Sequence, residues 1–190
     1  MVLTMSQDSL LELHAQGPYA SGSMLRILQA VKEDMPNWLF ESSGWHSVFV
    51  DYEKPFVERL WRQHGEYRIS LHRIHPCHPG EPYFHPHPWP QGVWVVSGRY
   101  EMGMGYGSGT TSPTISEIKI VSGGDQYEMI DRDAWHYVRP LDDVVMSMMI
   151  TGKPWNRERP KMPVSQLSSL SHVREEEIFQ FFKEIVVKKE

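Results

Sequence analysis

The spacing of apolar residues changes character near Trp45. Before it, residues 7–41 mix helix formers with periodic apolar positions: Leu10, Leu11 and Leu13, then Met24, Leu25, Ile27, Leu28 and Val31. Breaks at Gln16-Gly17-Pro18 and before Pro36 divide this stretch, and the pattern predicts two short helices. From Trp45 onward the apolar runs are short, rich in β-branched and aromatic residues, and bounded by Gly, Pro and Asp. They predict strands over 46–52, 57–63, 67–75, 92–97, 99–106, 114–121, 125–129, 135–139 and 144–151. His64-Gly65-Glu66 has the form of a hairpin turn and Ser97-Gly98-Arg99 that of a tight turn. So many short strands at this spacing indicate a sandwich or a small barrel. Residues 154–163 are polar and contain prolines. Beyond them Val173, Ile178, Phe181, Phe182, Ile185 and Val186 alternate with Glu and Lys as in an amphipathic C-terminal helix.

Composition narrows the function classes. A chain of 190 residues suits one domain with terminal additions, large enough for a core without disulfides or structural metal. The net charge of -5 offers no basic field for a phosphate backbone, so nucleic acid is not an expected partner. Cys77 stands alone and forms no internal disulfide, and Met1–Ser6 lacks a charged segment followed by an apolar one. No apolar run approaches a bilayer's thickness. The expectation is a soluble, cytoplasmic protein with no membrane partner; a homodimer is left open.

Candidate chemistry centres on histidine. In Phe84-His85-Pro86-His87-Pro88-Trp89-Pro90-Gln91-Gly92 two imidazoles stand at i and i+2, a spacing that on an extended chain sends both to one face. His136, in Asp131-Arg132-Asp133-Ala134-Trp135-His136, is a third candidate. Three neutral imidazoles hold one side of a metal ion and leave adjacent positions open. Asp131 and Asp133 are read as turn residues, and Cys77 as a small core or loop residue. His72, His75 and His78 cluster near Cys77 without matching a zinc spacing. The run Met146-Ser147-Met148-Met149 is read as core filler, since alternate residues of a strand point apart. The Gly-rich stretch Met102–Gly107 lacks the strand-to-helix setting of a phosphate loop.

The two histidine segments resemble the paired motifs of the cupin family. His85, His87, Gln91 and Gly98 fall at the ligand and turn positions of its first motif, with the spacing His87-x3-Gln91-x6-Gly98 matched in full. Gly80 is one residue too close, and Gln91 stands where the family has glutamate. The second motif is matched through His136, with Asp131, Asp133 and Pro140 in place of its Pro, Gly and Asn. The resemblance implies an all-β cupin barrel, a double-stranded β-helix or jelly roll, over 45–153, after a helical extension over 1–44 and before a linker and C-terminal helix over 154–190. It implies one divalent metal on His85, His87 and His136, with Gln91 as a weak fourth ligand. Fe(II) is the first expectation, and Zn, Mn or Ni are the others.

Three-His sites within that family resemble those of thiol dioxygenases, such as cysteine dioxygenase, and of diketone-cleaving dioxygenases. Arg59 falls where thiol dioxygenases place a carboxylate-binding arginine; the tyrosine of their late strand is replaced near Thr151, and their cysteine crosslink partner falls near Gly92. The implied activity is an oxidoreductase, an Fe(II) dioxygenase acting on a small anionic molecule of the thiol or diketone class. A non-catalytic binding cupin and a metal-assisted isomerase are the alternatives. Strand parity adds a second cation. If Tyr67, Ile69 and Leu71 face the barrel interior, Arg73 faces it too and needs an anionic partner. Arg59 and Arg73 are thus the expected catalytic anion-binding residues, and Trp94, Tyr100 and Tyr106 the expected pocket lining.

Overall fold

The computed structural model describes residues 20–41, 43–156, 160 and 167–187. The helix expected around Leu10, Leu11 and Leu13 lies outside them. Helices α1 (Ser23–Glu33) and α2 (Met35–Leu39) precede ten strands. These are β1 (His46–Val50), β2 (Val57–His64), β3 (Tyr67–Ile74), β4 (His85–Pro86), β5 (Gln91–Ser97), β6 (Arg99–Tyr106), β7 (Glu117–Ser122), β8 (Gln126–Met129), β9 (Ala134–Pro140) and β10 (Val145–Thr151). Helix α3 (His172–Val187) follows them.

All the strand pairings are antiparallel. One sheet has the order β1-β2-β3-β10-β5-β8 and the other β4-β9-β6-β7. Two antiparallel sheets flanked by N- and C-terminal helices make a cupin-like topology. The turn at Gly65 is a hairpin: His64 pairs with Tyr67 and Gly65 has φ +58°. The turn at Gly98 instead carries the chain from one sheet to the other, because β5 and β6 belong to different sheets. Gly98 has φ +77°, and a Cβ there would stand 2.9 Å from the Val144 carbonyl, so only glycine fits the crossing.

The outer face of the six-stranded sheet packs against the helices. Met24, Ile27, Leu28 and Val31 of α1, at intervals of three and four, meet Ile69, Leu71, Met148 and Ile150 in one core, joined by Ile178, Phe182 and Val186 of α3. Burying such side chains contributes roughly 1.5–3 kcal/mol each. Polar ties fix how the helices sit. The Glu128 carboxylate on β8 accepts hydrogen bonds from the backbone N–H groups of Gly22, Met24 and Leu25, satisfying donors that the first turn of α1 cannot pair internally. On the other side Glu58 of β2, 1% exposed, pairs with Arg73 of β3 and with Arg174 of α3, and Arg73 reaches Glu177 at 2.7 Å.

This arrangement corrects the expectation for Arg73. It does lie on the same face as Tyr67, Ile69 and Leu71, but that face meets the helices and not the space between the sheets. Trp94 is corrected for the same reason, being buried in the helix-side core with the Lys32 ammonium 4.2 Å from its ring centre. Tyr106, at the end of β6, is 52% exposed and is not among the residues that line the cavity between the sheets. Met146 and Met148 fill the helix-side core, and Met149 points the other way.

Glu58→Ala should be among the most destabilising single changes outside the apolar core, because it leaves two guanidinium groups without their shared carboxylate. The expected loss is about 3 kcal/mol, read as a lower urea midpoint, and a loss under about 1 kcal/mol would show an ordinary surface-type ion pair.

Candidate metal centre

Between the sheets one half of the interior is packed and the other is hollow. Val95, Met102, Met104, Val121 and Val145 belong to the packed half. The hollow half is a cavity of about 170 Å³. Its walls include His85, His87 and His136 and, from the larger sheet, Arg59, His72, Gln91, Val93, Ser147 and Met149.

The histidines arrive there for local reasons. His85, His87 and Trp89 each precede a proline, which disfavours helical backbone at all three and keeps the segment extended. The segment is anchored where it runs toward β5: Trp155 and Gly152 donate backbone hydrogen bonds to the carbonyls of Pro88, at 2.6 Å, and Pro90, at 3.0 Å. Strand β4 is only two residues long, and in its register His85 lies directly opposite His136 of β9. His87 follows two residues later on the same face. One nitrogen from each of the three rings lies within 4.8 Å of the others.

The protonation pattern suits a cation. His85 donates from Nδ1 to the Tyr83 carbonyl at 2.8 Å and stacks on the Tyr83 ring at 5.2 Å, so its Nε2 is left as the lone-pair nitrogen. The Nε2 atoms of His87 and His136 are 2.6 Å apart. In the neutral pair one Nε2–H donates to the other ring; when that proton sits on Nδ1 instead, two lone pairs face a single point. Burial pushes the pKa of all three rings down from 6.5, well down for His87 and His136, and for His87 the neighbouring histidines add to the effect. The rings are neutral at neutral pH, the form that binds metal. Nitrogens about 2 Å from one ion lie about 3 Å from one another, so modest ring rotation gathers this cluster. The cluster can therefore coordinate a divalent ion.

Around it the lining carries three charged side chains, Glu53, Lys54 and Arg59. Gln91 is 1% exposed; its Nε2 donates to the Met129 sulfur at 3.2 Å and its Oε1 is buried with no hydrogen-bond partner. Arg59, the other anion-binding candidate, does line the cavity. Burial lowers its pKa from 12.5 to about 10, which still leaves it a cation. Its Nε donates to His72 Nε2 at 2.9 Å. Tyr100 lines the cavity too, and its hydroxyl donates to Tyr127 at 2.7 Å. Sequence reading left out His72, Ser147 and Tyr127 as site residues. Their signal was parity: His72 shares a face with Ile74, and Ser147 with Met149, on the strands' inner side. His75 and Cys77, by contrast, lie outside the cavity lining, and His75 Nε2 stands 3.2 Å from Glu58 Oε1.

No family model matches the chain, and no curated protein does. Among solved structures it is similar to a protein from Bacillus halodurans, 20% identical over 58% of this chain and 76% of that one, with a TM-score of 0.42. It is similar also to the hydroxypropylphosphonic acid epoxidase of S. wedmorenis, 11% identical over 55% of each chain, TM-score 0.43. A third is an RmlC-like cupin from Shewanella frigidimarina, 16% identical over 62% of this chain and 89% of that one, TM-score 0.42. The chain thus spans little more than half the length of the epoxidase. At these values no substrate or reaction passes from those proteins to this one. No helix among the described residues is long and apolar enough to cross a membrane.

Two outcomes test the centre. The purified chain should bind close to one divalent ion, and His85→Ala combined with His87→Ala should abolish binding while circular dichroism keeps the strand signal; elemental analysis showing equal metal in both proteins would remove the site. The second concerns pH. Because folding lowers these histidine pKa values, below pH 6.5 the unfolded chain binds protons that the folded chain does not. Stability of the metal-free protein should be full above that value and fall as pH falls below it, seen as a declining Tm. Replacing His87 and His136 by Gln should flatten the decline.

Proposed function

We propose that the chain is a metal-dependent cupin-type enzyme, an Fe(II) dioxygenase acting on a small anionic organic molecule of the thiol or enolate class. The observation that carries this reading is Arg59. Arg62, Arg73, Arg99, Arg139 and Arg174 each have a carboxylate partner. Arg59, set in a cavity wall where a cation is costly, has none among the described residues. An anionic ligand supplies the missing charge. The same cavity holds three neutral imidazoles, so a divalent ion there keeps its full charge and favours a second anionic group on the ligand.

The residues divide the work. His85, His87 and His136 would hold the ion on one side, with Gln91 Oε1 as a weak neutral donor. Fe(II) bound there would supply the electrons and open positions that oxygen chemistry needs. Arg59 orients the substrate through its anionic end, and Val93, Met149 and Val138 exclude water from its body. The Tyr100–Tyr127 pair keeps a phenol donor on the wall; burial holds Tyr127 protonated, its pKa pushed up to about 12.

An oxygen electrode tests the proposal. Protein loaded anaerobically with Fe(II) should consume O2 with at least one member of a set of mercapto acids, aminothiols and β-diketones, and Zn(II) protein should not. Arg59→Ala should lower kcat/KM roughly tenfold or more, the scale of a lost charged hydrogen bond. No uptake with any candidate, together with ligand binding that needs no metal, would favour a binding protein over an enzyme.

A further inference from the structure

Arg59 does not stand alone on its wall. Arg59 of β2 pairs in register with His72 of β3, and His72 with Ser147 of β10, so one cross-strand row carries a guanidinium, an imidazole and a hydroxyl into the cavity. His72 is 6% exposed and Ser147 1%. Polar side chains at such depth are rare unless they satisfy one another. The Arg59 Nε–H has His72 Nε2 as its acceptor at 2.9 Å, and His72 Nδ1 lies 3.4 Å from Ser147 Oγ. An arginine can only donate, so His72 Nε2 must carry the lone pair and the ring's proton must sit on Nδ1, facing the hydroxyl. Every bond in the row is thus directed one way.

We infer that His72, oriented by Ser147, is a positioning residue that locks the Arg59 guanidinium by its Nε edge and leaves the paired Nη groups to recognise a planar, two-oxygen anion, so that the cavity selects carboxylates over other small ligands of the metal. The inference rests on the proposed role of Arg59 and deepens it. A free arginine side chain recognises charge with little regard to shape. One held at Nε presents its Nη pair in a fixed plane, which matches a carboxylate through two parallel bonds. A carboxylate in this place of His72 would neutralise Arg59 and remove its pull on the ligand; a neutral imidazole fixes its direction and leaves its charge available. Burial and the adjacent Arg59 cation both disfavour protonated His72.

The test is anaerobic titration of the Co(II)-loaded full chain with two probes, 3-mercaptopropionate and 2-mercaptoethanol, followed by the thiolate-to-cobalt absorption band. The wild type should prefer the carboxylate-bearing probe by about tenfold or more, and Arg59→Ala should erase that preference. His72→Leu should lower the preference severalfold while Co(II) content and mercaptoethanol affinity stay unchanged, and His72→Gln, which retains an acceptor for Nε, should restore most of it. A purely structural role would move both probes together and would not be rescued by Gln. If His72→Leu does not fold, Ser147→Ala decides: a reduced preference supports the row, and an unchanged one overturns it. His72→Leu with full preference, alongside loss in Arg59→Ala, overturns the role of His72 and leaves that of Arg59 standing. A preference that survives Arg59→Ala, or is absent in the wild type, overturns both.

Discussion

The six-stranded sheet must be covered on both faces, and the rest of the molecule follows from what covers each. β3 and β10 lie at its middle, and every residue of β10 is buried. One face has enough apolar surface to hold α1 and α3; the other meets the smaller sheet only in part, which leaves the cavity. The helices therefore brace the site's back wall. Glu58 and Glu128 complete that bracing by placing carboxylates where the helix-side layer has cations or unpaired N–H groups.

Charge is separated by this division. Glu58 and Glu128 serve the helix side of the larger sheet, while Arg59 and His72 lie on its inner side, in a cavity whose lining also carries Glu53 and Lys54. In a low-dielectric interior that sorting matters more than the net charge of the chain, because buried groups are weakly screened.

How much of this was legible in the sequence depends on the range of the signal. Short apolar runs bounded by Gly, Pro and Asp marked the strands, and the i, i+2 histidines marked the cluster, because both patterns are local. β4 was missed as a strand since two residues beside prolines carry no alternation. Parity put Arg73 on the right side of β3 but could not say which side faced the cavity, because Tyr67, Ile69 and Leu71 are as apolar as an interior row would be. That choice is made by α1 and α3, whose sequences are remote from β3. His72 was hidden for the opposite reason: its meaning depends on Arg59 and Ser147, which only pairing in the sheet brings beside it.

The prolines around the histidines have an effect beyond their own geometry. β4 is an outer strand of the smaller sheet, and an outer strand is open to pairing with another chain. Pro86 in β4, and Pro88 and Pro90 just beyond it, carry no N–H, which makes this border a poor template for added strands. The prolines thus work against strand addition at the segment that carries the histidines, whereas β7, with Ile118 and Ile120 exposed, is the border of that sheet without prolines.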